Sequence, residues 1–298
     1  MERDAVILEV GLNEAASRLE NPHLPYAPRE CAEDALRCRE AGAAVVHWHA
    51  RDSVTGGSRE GDTALYAEAL DRMRENSDVL AYPTYPLEPA DDLEARLGHC
   101  FELRAHHGLE IAPIDVGSVN VAVWDARRRA LVTGDVGVVR NSLDFTRAAL
   151  ERFRELRLLP SVAAFDLGFT RTMARLVEAG HLREPVFFKI FLLGGWLAGP
   201  EPCEEALELH LRQIPDGLDV EWLVVPYLIE DPALVERLCR RALALGGGVR
   251  IGIGDNPHAF PDTTNSGLVE RAVGWCREAG RPIAEPADVR RRFRIQIE

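Results

Sequence analysis

The chain has 298 residues, 46% hydrophobic and 28% charged, a globular composition that excludes disordered, collagen-like and disulfide-dense proteins. Acidic side chains outnumber basic ones 48 to 35, for a net charge of −13, which argues against non-specific binding to nucleic acid or to anionic membranes. The sequence holds no apolar run of about 18 residues, so no membrane span is expected. The opening Met1-Glu2-Arg3-Asp4 does not read as a signal peptide, and six cysteines without a CxxC spacing point to free thiols in the cytoplasm.

Two periodicities alternate along the chain. Short apolar or alternating runs read as strands, and each is followed by a stretch at helical spacing. Strands are expected over Ala5–Val10, Ala43–His49, Val79–Pro83, Ile114–Val119, Ser161–Phe165, Val186–Leu193, Trp222–Tyr227 and Val249–Gly254. The last two helices are the plainest. Leu234, Val235, Leu238, Ala242 and Leu245 form one apolar stripe ended by Gly246-Gly247-Gly248. Leu268, Val269, Ala272, Val273 and Cys276 form another, ended by Gly280 and Pro282. Eight strand–helix units predict a (β/α)8 TIM barrel, a single domain over residues 1–298. The rival, an open doubly wound sheet, normally carries a GxGxxG turn after its first strand, and here that turn reads Gly11-Leu12-Asn13-Glu14. Residues 121–139 are alternating and turn-rich, and read as a hairpin inserted after the fourth strand.

Sites in such barrels lie at the C-terminal ends of the strands. Polar residues collect there: Asn13, Glu14, His47, His49, Thr84, Ser118, Asn120, Asp166, Tyr227, Glu230, Asp255 and Asn256. His47 and His49 flank Trp48, so both imidazoles point to one side of a strand and could form two corners of a zinc site. A hydrogen-bonded pair without metal is the plainer alternative. Asp255 could ligate metal or move a proton, or serve as a helix cap. Gly194-Gly195 could bring bare backbone up to an anionic group, or form a tight turn. Lys189 is the only lysine in the chain and sits in Phe187-Phe188-Lys189-Ile190-Phe191. A desolvated amine there could act as base or Schiff-base nucleophile. Its plainer role is an ion pair inside the barrel with Glu9 or Asp166.

Several motifs, in order, resemble the β-keto acid cleavage enzymes, typified by 3-keto-5-aminohexanoate cleavage enzyme. They are Asn21-Pro22-His23-Leu24-Pro25, Ala41-Gly42-Ala43 through His47-Trp48-His49-Ala50-Arg51-Asp52, Gly117-Ser118-Val119-Asn120, Phe165-Asp166-Leu167-Gly168, Gly247-Gly248-Val249-Arg250, Asp255-Asn256, and Thr264 through Arg271. The resemblance implies a zinc-dependent barrel that joins a β-keto acid to acetyl-CoA and then cleaves a C–C bond, giving acetoacetate and an acyl-CoA. It implies His47 and His49 as metal ligands, Asp255 as catalytic aspartate, and Thr84, Ser118, Asn120 and Arg51 as substrate-pocket positions. It also implies a homo-oligomer.

Three positions depart from the family pattern. Its zinc-binding glutamate is Gly254 here, its arginine after strand seven is missing from Val225–Asp231, and a strand-five glutamate is Ala163. A replacement third ligand is therefore expected, with Glu9 first and Glu14, Glu230 and Asp255 as the other candidates. Two further readings stay open: a Schiff-base C–C lyase using Lys189, and a non-catalytic binding protein on a decayed barrel.

Overall fold

The first strands are short and apolar: β1 (Leu8–Gly11), β2 (Val45–Trp48), β3 (Leu80–Pro83) and β4 (Ile111–Asp115). The chain then leaves the sheet in β5 (Val119–Asp125) and β6 (Ala130–Val139), an antiparallel pair. It returns as β7 (Leu159–Ala164), β8 (Val186–Leu193), β9 (Val220–Tyr227) and β10 (Gly248–Arg250). In this computed structural model, which describes residues 5–125 and 128–295, the parallel strands run in the order β3-β2-β1-β10-β9-β8-β7-β4. The two end strands β3 and β4 pack side by side, so the sheet wraps into a TIM barrel.

Helices α1 (Pro28–Ala41), α2 (Thr63–Asn76), α3 (Leu93–His107), α4 (Leu143–Leu156), α5 (Leu167–Glu178), α6 (Glu204–Leu211), α7 (Pro232–Ala244), α8 (Asn265–Glu278) and α9 (Pro286–Phe293) surround it. Their starts are chemically marked. Asp62, Asp92, Ser142, Asp166, Asp231 and Thr264 each accept a backbone N–H of the first turn of α2, α3, α4, α5, α7 and α8. Asp166 is thus a helix cap. No helix among the described residues is long and apolar enough to cross a membrane.

Two strand expectations shift. The run Ile114–Val119 straddles two elements, because β4 ends at Asp115 and residues 116–118 turn the chain outward into β5. The eighth barrel strand stops at Arg250, and Gly252 then presses on the first strand, where a Cβ would lie 2.0 Å from the Gly11 carbonyl oxygen. Trp48 is buried in the helix layer with its ring edge-on to Tyr66 of α2, 5.5 Å between centroids. That leaves His47 and His49 for the opposite face.

Candidate functional site

A cavity of about 140 Å³ opens at the C-terminal ends of the strands, lined by residues from most of them. Glu14, His47 and His49 form its polar wall. One donor atom from each lies within 4.8 Å of the others. His47 Nε2 is 3.4 Å and His49 Nε2 3.1 Å from the Glu14 carboxylate. The outer nitrogens are fixed from behind: His47 Nδ1 faces the Tyr82 carbonyl at 3.1 Å and His49 Nδ1 faces Glu60 at 2.9 Å. Two imidazoles oriented by oxygen acceptors, plus one carboxylate, form the donor set of three-ligand zinc sites. The residues present fit zinc.

Glu14 reaches this position through a tight turn in which its own φ is +37°. Asn13 ties that turn to the end of β2. Its amide donates to the His49 carbonyl at 3.0 Å and to the Pro25 carbonyl at 2.9 Å, and its oxygen accepts from His49 N at 2.8 Å. Arg51 donates to the Glu14 carbonyl and, at 2.7 Å, to the Gly56 carbonyl. Gly254 supplies the room: a Cβ there would lie 2.7–2.8 Å from the backbone of Asn13.

Beneath the histidines lies a layer of buried charge. Arg250 donates to Glu14 and, at 2.7 Å, to Asp255 Oδ1, and stands 3.5 Å from Glu9. Glu9 also accepts from the Tyr82 hydroxyl at 2.5 Å and pairs with Lys189 Nζ at 3.1 Å. Lys189 donates to Ser161 at 2.5 Å and lies 3.4 Å from the Phe187 ring centroid. Strand register explains the layer, since Glu9 pairs with Arg250, and Ala163 with Lys189.

Burial and neighbours set the titrations. Burial raises Asp255 to about 7 against the pull of Arg250. It raises Asp115, whose carboxylate takes the Tyr85 hydroxyl at 2.7 Å, to about 6. It lowers Lys189 to about 8 despite Glu9, and it drives His47 well below the usual imidazole range. For His49 burial is outweighed by Glu14 and Glu60, which raise it to about 9. For Glu14 burial is outweighed by Arg250 and the two histidines, which hold it below the ordinary carboxylate range.

Of the residues singled out in the sequence, Glu14, His47, His49, Thr84, Lys189 and Tyr227 line the cavity. Glu9 does not join the histidines; its carboxylate is held by Tyr82, Lys189 and Arg250, and the grouped carboxylate is Glu14. Asp255 is fully buried against Arg250 and stays off the cavity wall. Arg51 sits behind the Glu14 turn. Ser118 and Asn120 lie at the base of the β5–β6 pair, exposed, with Ser118 Oγ taking Asn141 N at 3.0 Å. Gly194 and Gly195 pack on Leu228 and Ile229 outside the cavity. Lys189 takes the ion pair with Glu9 rather than Asp166.

Sequence reasoning missed Glu60, Tyr82, Tyr85, Asp115, Phe165, Trp196 and Arg250 as cavity residues. For Arg250 a signal existed: a charge inside the apolar run Val249-Arg250-Ile251 needs a partner.

Comparison with known proteins shows the family. A family model described as beta-keto acid cleavage enzyme matches residues 5–295. The chain is 28% identical to a 3-dehydrocarnitine:acetyl-CoA trimethylamine transferase of Rhizobium meliloti, over 92% of this chain and 90% of that protein. It is 28% identical to a 3-keto-5-aminohexanoate cleavage enzyme of Fusobacterium nucleatum, over 91% and 90%. It is 25% identical to a 3,5-dioxohexanoate:acetyl-CoA acetone transferase of Paraburkholderia graminis, over 93% and 91%. Among solved structures, apo ObcA superposes with a TM-score of 0.72 at 18% identity, covering 93% of this chain and 66% of the longer ObcA chain. That likeness is one of fold. With a barrel, a His47–His49–Glu14 wall and a family match over nearly its full length, the chain belongs to the beta-keto acid cleavage enzymes.

Proposed function

We propose that the chain exchanges acyl groups between a β-keto acid and acetyl-CoA. The C2–C3 bond of the keto acid breaks, its acyl part passes to CoA, and its carboxymethyl part joins the acetyl group as acetoacetate. The relatives' names support acetyl-CoA as co-substrate. The observation that carries the reading is the donor group His47, His49 and Glu14 on the cavity wall. These three residues would hold zinc, with Glu14 in the role of the glutamate that Gly254 replaces. Zinc there supplies a Lewis acid for the keto and thioester oxygens.

The remaining work falls to side chains of this chain. Asp255, buried behind Arg250 and off the cavity wall, orients that guanidinium rather than touching the substrate. Arg250 touches both Asp255 and Glu14, so it ties the Glu14 carboxylate to that buried carboxyl and faces the substrate from the cavity wall. Thr84 and Tyr85 offer hydroxyls on the same wall. Burial lowers Lys189 only to about 8 against the pairing with Glu9, so the amine is mostly charged at neutral pH, a form that does not add to a carbonyl.

The test is zinc content per chain together with acetoacetate formation from a β-keto acid panel and acetyl-CoA. One zinc per chain is expected, lost in His47→Ala and in Glu14→Gln together with at least about 100-fold of turnover. Unchanged metal content in Glu14→Gln overturns the ligand assignment. Borohydride added during turnover is expected to leave the chain mass unchanged; a stable adduct at Lys189 would instead support the Schiff-base reading.

A further inference from the structure

On the outside of the barrel, α4 and α5 leave a cleft of about 640 Å³ between them. Its α5 wall is one helical stripe: Gly168, Arg171, Thr172, Arg175, Leu176 and Ala179 recur at spacings of three and four. Its α4 wall is the start of that helix, Leu143, Thr146 and Arg147. The cleft and the strand-end cavity share no lining residue.

Charge points to an anion. Arg147, Arg171 and Arg175 line the cleft and no carboxylate does, in a chain whose acids outnumber its bases 48 to 35. Arg171 and Arg175 stand one turn apart on α5, a like-charge spacing that weakens a helix. Arg175 pairs with Glu178, and Arg147 lies 3.8 Å from Asp144; both pairs are exposed and weak. Arg171 has no ion pair or hydrogen bond among the described residues.

An orphaned hydroxyl points the same way. Thr146 is 1% exposed, and its Oγ1 is buried without a hydrogen-bond partner, which costs free energy for as long as it stays unpaired. A helical threonine has two accessible χ1 wells, so this hydroxyl can turn onto an oxygen held in the cleft. Gly168 adds backbone free of any side chain in the first turn of α5, the positive end of that helix. The Asp166 carboxylate at that end is taken up by the Phe169 N–H, at 3.0 Å. Three guanidiniums, a hydroxyl and a helix start suit the oxygens of a phosphate. Val116, Leu143 and Leu176 offer apolar surface beside them for the organic part of a ligand.

We propose that the α4–α5 cleft binds a phosphorylated ligand, with its phosphate on Arg147, Arg171, Arg175 and the Thr146 hydroxyl. Asn141 joins this site to the strand-end cavity. It lines the cleft, and its amide donates to the Asp115 carbonyl at 2.8 Å and to the Tyr85 hydroxyl at 3.2 Å, two residues of the cavity wall. Two sources carry the required chemistry: a free phosphorylated metabolite, or the nucleotide end of an acyl-CoA. Only the second depends on the acyl-transfer reading.

The test titrates inorganic phosphate into the full chain by calorimetry at constant ionic strength, without turnover. Arg171→Gln is expected to weaken binding at least about 10-fold, and Thr146→Val about 2- to 10-fold. Arg183→Gln, which removes an exposed arginine outside the cleft, is expected to leave it unchanged. Melting curves separate binding from folding. Without phosphate, Thr146→Val should melt no lower than the wild type, because it removes an unpaired hydroxyl; with phosphate, it should lose most of the rise that the wild type shows. No binding at millimolar phosphate, equal losses in Arg171→Gln and Arg183→Gln, or a loss confined to His47→Ala overturns the cleft site. A second arm tells the sources apart. If Arg171→Gln raises KM for acetyl-CoA but not for its analogue lacking the 3′-phosphate, at unchanged kcat, the cleft holds the nucleotide end. If Arg171→Gln loses phosphate binding and keeps the wild-type KM for acetyl-CoA, the ligand is a separate phosphorylated molecule.

Discussion

Putting a glutamate back at position 254 should harm the metal site rather than restore it. A Cβ on residue 254 meets the Asn13 backbone N, C and Cα at 2.7–2.8 Å, and ordinary contact begins at 3.4 Å, so the turn must retreat by about 0.6–0.7 Å. Asn13 cannot retreat alone, since its side chain holds the backbone of His49 and of Pro25. Overpacking of this kind costs about 1–3 kcal/mol, or roughly 2–10 °C of melting temperature for a chain of this size. Moving the support of His49 and the backbone of Glu14 should also weaken zinc by about 10- to 100-fold. The assay is competitive zinc titration against a chromophoric chelator, with thermal melts of Gly254→Glu and Gly254→Ala alongside. Alanine carries the same Cβ without a carboxylate, so both variants should lose zinc affinity and melt earlier. If Gly254→Glu binds zinc as tightly as the wild type, or more tightly, with an unchanged melting temperature, the turn is not braced against residue 254 and Glu14 is not the third ligand.

Arg250→Met leaves Glu9, Glu14 and Asp255 without their shared cation, and urea unfolding should show a loss of about 3–5 kcal/mol; a loss below about 1 kcal/mol would refute the charged layer as drawn. Asp115 has its folded pKa raised from 3.8 to about 6, so between those values the folded protein keeps a proton that the unfolded chain has released. Its contribution to stability is therefore greatest below about pH 4 and is lost as pH rises to about 6. Asp115→Asn should flatten that part of the stability–pH curve relative to wild type, and an identical slope in the variant would show that the carboxyl is not raised.

Most of the barrel was legible because its two periods are unambiguous. Val186–Leu193 is both the expected and the observed strand, and the glycines after Leu245 and after Ala279 end their helices with positive φ at Gly246 and Gly280. His47 and His49 were legible for the same reason: alternation fixes which face a strand residue takes. The rest depended on three-dimensional closure. Glu14 lies beyond the end of β1, in a turn whose direction is set by residue 254, some 240 positions away. Glu9 was misplaced because a lone acid in an apolar strand announces a partner without saying which, and the partners came from β3, β8 and β10. Ser118 and Asn120 read as strand-end residues, but the chain had already left the barrel at Asp115. Phe165, Phe191, Trp196 and Tyr227 come from two strands and two loops, and no local pattern joins them.

The solitary lysine has a practical side. Lys189 is the chain's only side-chain amine and is 1% exposed inside the barrel. Amine-directed dyes, crosslinkers, acetyl donors and reducing sugars therefore meet no lysine on the folded surface. Modification of that side-chain amine must come through the strand-end cavity or wait for the barrel to open, so a reagent too bulky for the cavity counts opening events. A mass spectrometer reading one added bulky label at Lys189 would serve as a clock for the unfolding of the barrel core.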